Sequence, residues 1–323
     1  MNTVLKKHSD PADELRRRTK KANLRRKLKD NAALWALALP GFFLLILFHY
    51  IPMGGIVIAF KDYAPRKGIF GSPWNGLDNF KFFFTSQDAT RTISNTLIYA
   101  SVFLILNQIT GVLIALLLFH LRSAGRLKIY HTIMLIPRFL SIVIISFMVY
   151  GFLSPSQGLI NDVIKVFGGD PIQWYLEAKY WPAILIIVHV WQTLGSGCLY
   201  YYAALVGIDT SLFEAASIDG AGTLKQCWHI AIPSLIPVMC MMLIMGIGGL
   251  FAGDFGLFYN VPKNQGSLYA TTDIISTYTY RALISGALEK SAAVGLFQSA
   301  AGMILVLISN GIIRKVSPEN SMF

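Results

Sequence analysis

Six stretches of this chain, at 32–59, 95–119, 129–153, 182–206, 235–258 and 292–313, are almost free of charge. Each is long enough to cross a hydrocarbon core, which takes about 20 mostly apolar residues. Inside a bilayer every backbone N–H and C=O must find its partner within the protein, so such segments have to be helices. The fold class that follows is an all-α integral membrane protein with six transmembrane helices. Composition agrees, because only 14% of residues are charged, against roughly 25% in soluble domains. That excludes a soluble enzyme, a disordered chain and a collagen. Cys198, Cys227 and Cys240 have no metal-ligand spacing, so neither a metal site nor a disulfide scaffold is expected.

Charge sets the expected orientation. Residues 1–31 form a basic tail, and its first thirty residues carry eleven of the Lys and Arg against four Asp and Glu. The first span begins too late and runs too long for a cleaved signal peptide. With a cytoplasmic N-terminus, the inner segments hold seventeen Lys and Arg and the outer loops ten, the positive-inside bias of a multi-pass membrane protein. An even number of spans returns the 314–323 tail to the cytoplasm. The tail between Glu14 and Lys29 either anchors as a solvated positive segment or lies as a basic helix on anionic headgroups. Trp74, Trp174 and Trp181 in the outer loops fit an aromatic belt at the membrane surface.

The chemistry that is missing narrows the function. No Gly-Lys dipeptide occurs, hence no GxxxxGK[ST] loop to cradle nucleotide phosphates, and neither HExxH nor GxSxG is present. No catalytic residue and no bound cofactor is expected. Among carboxylates near the middle of a span only Asp254 comes close, which argues against a proton-coupled carrier. The chain reads as a conduit driven from elsewhere.

The loop 207–233 after the fourth span is the most informative segment. Ser211 and Glu214 have capping-box spacing, as do Thr223 and Gln226. They give two short helices, one ending at Gly220 as a left-handed C′ residue and the other stopping before Pro233. Ala215, Ala216 and Gly220 make a small-residue face that another protein can approach closely.

Glu214-Ala215-Ala216, then Gly220, Ile230 and Ile232-Pro233, resemble the EAA loop of type I ABC importer permeases, with Ile232 in place of the family's leucine. The resemblance implies a MetI-like bundle whose loop is a coupling helix docked on an ATPase subunit. Glu214, Ala215, Ala216, Asp219, Gly220, Ile230 and Pro233 would carry that contact. Further matches lie at Gly76–Phe80, Leu135–Ser141, Gly253–Pro262, Thr272-Asp273 and Val294–Ser299. These resemble the carbohydrate branch of the family and its LplB-like polysaccharide permeases, a group that includes a subunit of the bacterial alginate importer. What this implies is a permease subunit for oligo- or polysaccharides, acidic ones included. Its implied partners are a second permease or a second copy, two ATPase subunits that bind ATP and Mg, and an extracellular or periplasmic solute-binding protein. No nucleic acid is involved. The competing readings are a permease for a non-sugar solute and an ion-coupled secondary carrier.

A saccharide path needs hydroxyl-matching groups facing a wet cavity. Gln192, Ser196 and Tyr200 recur every four residues and share one stripe of the fourth span. With Asp254 and Gln298 they are the expected cavity lining, helix–helix hydrogen bonding being the competing role. Asn107 and Gln108 lie in the middle of the second span. Arg138 either snorkels to the headgroups or offers a cation to acidic sugars.

Overall fold

The computed structural model describes residues 31–316 except Arg122, so the basic tail and most of 314–323 lie outside the described residues. The chain divides at Val57 into two units. Most of α1 (Ala32–Phe60, mean hydropathy 2.2) belongs to the first. Its ladder slips by one residue into a π-turn at Ile46–Tyr50, two residues ahead of Pro52. A proline has no N–H to give and its ring crowds the carbonyl four residues back, so the slip relieves the clash without breaking the helix.

The second unit holds α2 (Asp78–Thr85), α3 (Gln87–Phe119), α4 (Ala124–Phe139), α5 (Ile142–Leu153) and α6 (Leu159–Val166). It continues with α7 (Trp181–Val206), α8 (Thr210–Ile218) and α9 (Thr223–Gly248). It closes with α10 (Phe255–Asn260), α11 (Ile275–Ile284) and α12 (Leu288–Val316). Among the described residues five helices are long and apolar enough to cross a membrane, and six if α4 and α5 count as one broken span. The architecture is all-helical; the one β-bridge among the described residues joins Lys61 and Trp74.

Two spans differ from the sequence reading. The stretch 129–153 is not one helix: α4 and α5 meet at 95°. Leu140 and Ser141 are extended, and the Ser141 hydroxyl accepts the Val143 N–H to start a new helix. Arg138 therefore lies in the last turn of a helix, where a cation meets unpaired carbonyls. The stretch 235–258 also breaks, because α9 ends at Gly248 and Gly253 takes φ +62°. Asp254 then caps α10 by accepting the Leu257 N–H. Four glycines within eight residues of one another (Gly246, Gly248, Gly249 and Gly253) make this run too weak a helix former to continue.

Close approach of backbones holds the bundle. α3 lies along α7, with the Tyr201 ring over Gly111, where a Cβ would come within 2.8 Å of Cε2. α7 presses on α4 so tightly at Gly195 that a Cβ there would overlap the Met134 carbonyl. α9 and α12 meet at Gly248 and Gly302. Without a hydrophobic drive inside lipid, such small-residue contacts supply the packing. One apolar core gathers Tyr99, Phe103, Ile145, Trp181, Leu185, Leu257 and Ile274; a second gathers Val112, Ala115, Leu118, Tyr201, Leu205 and Leu235. Trp181 is fully buried rather than part of an interfacial belt, and Trp174 donates its Nε1–H to Asn161.

The connections at the end where α3 begins are tied by buried polar groups. Asp273, with its side chain wholly buried, accepts from Arg91 Nη2 at 2.8 Å, Arg281 Nη2 at 2.7 Å and the Thr277 hydroxyl at 2.8 Å. Burial works against the Arg281 charge, but Asp273 more than offsets it and holds the proton more tightly than usual. Asn161 plays a similar part, accepting from Ile172 N and Trp174 Nε1 and donating to Ile172 O. Gly195→Ala is expected to cost about 1–3 kcal/mol by overpacking. Thermal unfolding in detergent would show it as a lowered midpoint, with Gly197→Ala, which meets nothing within 4 Å, as the unperturbed control.

Candidate translocation cavity and coupling elbow

The elbow between α7 and α9 is built from caps. Its N-cap is Asp209, whose carboxylate accepts the Ser211 N–H at 2.9 Å, so Ser211 lies inside α8 and the capping box read from Ser211 and Glu214 does not form. Bonds from the Ser211 N–H and hydroxyl hold the Asp209 carboxyl below the usual carboxylate range. α8 ends as the sequence reading has it, at Gly220 with φ +77°. The Ala221 N–H bonds to Ala216 O and the Gly220 N–H to Ser217 O, closing a Schellman motif.

The second turn of the elbow is not a separate helix. Thr223 begins α9 directly after Gly222, and Gln226 turns back to donate to Ser217 Oγ and Ala221 O, both at 2.9 Å. Pro233 does not stop it: a π-turn at Cys227–Ala231 precedes the proline by two residues, as in α1. α9 thus runs unbroken from the elbow to Gly248. The Phe213 ring packs on Phe119 at 5.4 Å and seats α8 against the end of α3.

Glu214, Ala215, Asp219 and Gly220 are exposed and Ala216 is half-buried, whereas Ile230 and Pro233 lie on α9 rather than on α8. The face also carries apolar side chains that the sequence reading passed over. Ile218 is 87% exposed, Leu224 73% and Trp228 63%. Their signal was available, since large apolar residues among the polar and small residues of a connecting loop have no core of their own to enter.

At mid-bundle a cavity of about 250 Å³ is walled by Thr96, Tyr99, Phe103 and Asn107 of α3, His189 of α7, and Met245 and Gly246 of α9, with Asp254 near the break. The His189 ring stacks on Phe103 at 3.7 Å between centroids and 3° between planes. Asn107 Nδ2 lies 3.1 Å from His189 Nε2, and the Thr193 hydroxyl donates to Asn107 Oδ1 at 2.9 Å. With the amide donating to Nε2, the ring proton sits on Nδ1, which is buried and has no partner among the described residues. A flat ring pair beside an amide and a carboxylate suits a polyhydroxylated solute better than an apolar one.

The five residues expected on the path are not brought together. Asp254 lines this cavity while its Oδ1 caps α10. Gln298 instead faces a separate cavity of about 180 Å³ with Gly248, Ser299 and Gly302, and donates to Ala252 O at 3.1 Å. Ser196 bonds within its own helix to Thr193 O, Tyr200 is 56% exposed, and Gln192 is half-buried; none of the three lines either cavity. His189, missed in the sequence, is one helical turn from Thr193, and that pair rather than the Gln192 stripe faces Asn107.

Residues 32–319 match the family described as binding-protein-dependent transport system inner membrane component. The chain belongs to that family. It is similar to the polygalacturonan/rhamnogalacturonan transport system permease protein YteP of Bacillus subtilis (strain 168), 36% identical over 94% of each chain. Protein LplB of the same organism is 34% identical over 90% of this permease and 92% of its own length. The crystal structure of a bacterial ABC transporter involved in the import of the acidic polysaccharide alginate contains a chain that superposes with a TM-score of 0.83 at 30% identity. The match covers 91% of this permease and 99% of that chain. A second structure, of the alginate transporter with its alginate pentasaccharide-bound periplasmic protein, superposes with a TM-score of 0.81.

One side chain, Gln226, bonds the first turn of the permease's α9 back to α8 and its connection. Gln226→Ala removes both bonds that tie α9 to the end of α8. Amide hydrogen exchange across Ser217–Gly222 is expected to speed up several-fold while exchange in α7 stays unchanged.

Proposed function

We propose that this permease forms half of the path of an ATP-driven importer for oligo- or polysaccharides, acidic ones included. The observation that carries the reading is mechanical: a capped, exposed elbow is continuous with α9, and the far end of α9 walls the polar cavity. The N- and C-termini and the elbow lie on the cytoplasmic side. There Glu214, Ala215, Ala216, Asp219 and Gly220, with the exposed Ile218 and Leu224, meet a groove of an ATPase subunit. Ile230 and Pro233 transmit the contact into α9. ATP and Mg bind to that partner, and this chain hydrolyses nothing itself.

A second permease, or a second copy, completes the path. The half-exposed stripe of Gln192, Ser196 and Tyr200 faces that partner, so those residues line the path in the pair rather than in the single chain. Phe103, Asn107, His189 and Asp254 supply the wall in this chain. Gln298 acts one step removed, by holding Ala252 at the end of α9. A solute-binding protein delivers the saccharide at the end where α3 begins. Closing the ATPase pair moves the elbow, and the work delivered is bounded by the difference in partner binding between the two states.

Reconstituted with its partners in proteoliposomes, Gly220→Val is expected to cut saccharide uptake more than tenfold, because a β-branched residue is strained at φ +77°. Assembly, followed by co-purification of the permease pair, should persist. In the permease without its ATPase subunits, Ile218→Cys should react with a membrane-impermeant maleimide only from the cytoplasmic face, and reaction from the opposite face would refute the proposed orientation.

A further inference from the structure

A second polar cavity, of about 540 Å³, opens at the end of the bundle where α3 begins, the opposite end from the elbow. α3 alone separates the two by roughly 50 Å at 1.5 Å per residue. Its wall joins the start of α3 (Asp88, Arg91), α11 (Tyr278, Arg281) and the start of α12 (Lys290), with Phe82 and Tyr269 at its sides.

Charge around it is unbalanced. Arg91 and Arg281 share the Oδ2 atom of buried Asp273, and Arg91 also reaches Asp88 at 2.7 Å. Lys290 lies 3.7 Å over the Phe82 ring and has no carboxylate partner among the described residues. Three cations thus answer to two carboxylates. Both guanidiniums keep part of their surface at this wall, 31% of the Arg91 side chain and 20% of that of Arg281 being exposed, and Arg281 lies 4.1 Å over the Tyr269 ring. Planar guanidinium forks bind carboxylates in two-pronged fashion, and aromatic faces accept the apolar face of a pyranose.

We propose that this cavity is a receiving subsite for a carboxylate-bearing sugar, a uronate unit, held by Lys290 and the exposed parts of Arg91 and Arg281 against Phe82 and Tyr278. The proposal rests on the importer reading above for its choice of a saccharide. It assigns a role to residues that do not line the mid-bundle cavity, whose wall holds neither lysine nor arginine among the described residues. Asp273 is the positioning residue: by anchoring both guanidiniums from behind it fixes them at the cavity wall.

The test measures direct binding to the assembled importer in nanodiscs by titration calorimetry, with digalacturonate and the neutral galactose disaccharide as probes. Wild type is expected to bind the acidic probe at least tenfold more tightly. Lys290→Gln should abolish that preference and Lys290→Arg should keep it. Phe82→Leu, which removes the ring under the ammonium but not the charge, should also keep the preference while weakening both sugars. Equal binding of the acidic probe by wild type and Lys290→Gln would overturn the subsite. So would a result in which Lys290→Gln weakens only docking of the solute-binding protein, because the cavity would then seat an acidic protein side chain. Retained digalacturonate preference in a complex that imports no saccharide would leave the subsite standing and sink the importer reading. Normal import with no Lys290 effect on binding would do the reverse.

Discussion

A peptide group inside hydrocarbon has no water to turn to, and the permease is organised around that demand. Continuous helices meet it at no further cost. Where a span breaks, other groups must supply the missing partners, and they can be named. At Leu140–Ser141 the Ser141 hydroxyl takes the Val143 N–H. Between Gly248 and Phe255 the Ala252 carbonyl is met by Gln298 of α12, and the Leu257 N–H by Asp254. Several side chains that look like sugar ligands on paper are therefore first of all braces for interrupted backbone.

The same demand explains which parts of the fold the sequence discloses. Apolar length alone locates the helices that run unbroken, such as α3, α7 and α12. It cannot reveal a break that keeps the hydrophobic run intact, which is why 129–153 reads as one span although Ser141 starts a second helix in its middle. Glycine clustering between Gly246 and Gly253 is visible in the sequence. In space it is both a packing face, at Gly248 against α12, and the reason α9 stops.

Local signals at the elbow were legible in kind but not in register. Gly220 ends α8 as its position suggests, yet the N-cap is Asp209, two residues before the serine with the better-known spacing. Asp209 wins because its carboxylate reaches Ser211 N, which leaves Ser211 no N-terminal amide to cap. At the cavity, residue type was informative and stripe assignment was not. Asn107 stood out as an amide in mid-span, but its pairing with His189 depends on how α7 is rotated against α3. That rotation is set by Gly111 under Tyr201 and Gly195 on α4, contacts about which a single helix's pattern is silent.

The π-turn ahead of Pro233 has a consequence for how force travels. A proline that broke the chain there would leave a slack joint between elbow and bundle. Because the ladder absorbs the ring by slipping one residue, Thr223 to Gly248 remains a single shaft of roughly 39 Å. Leu224 of the elbow and Met245 and Gly246 of the cavity wall are thus carried on one helix, which neither Pro233 nor Pro237 interrupts.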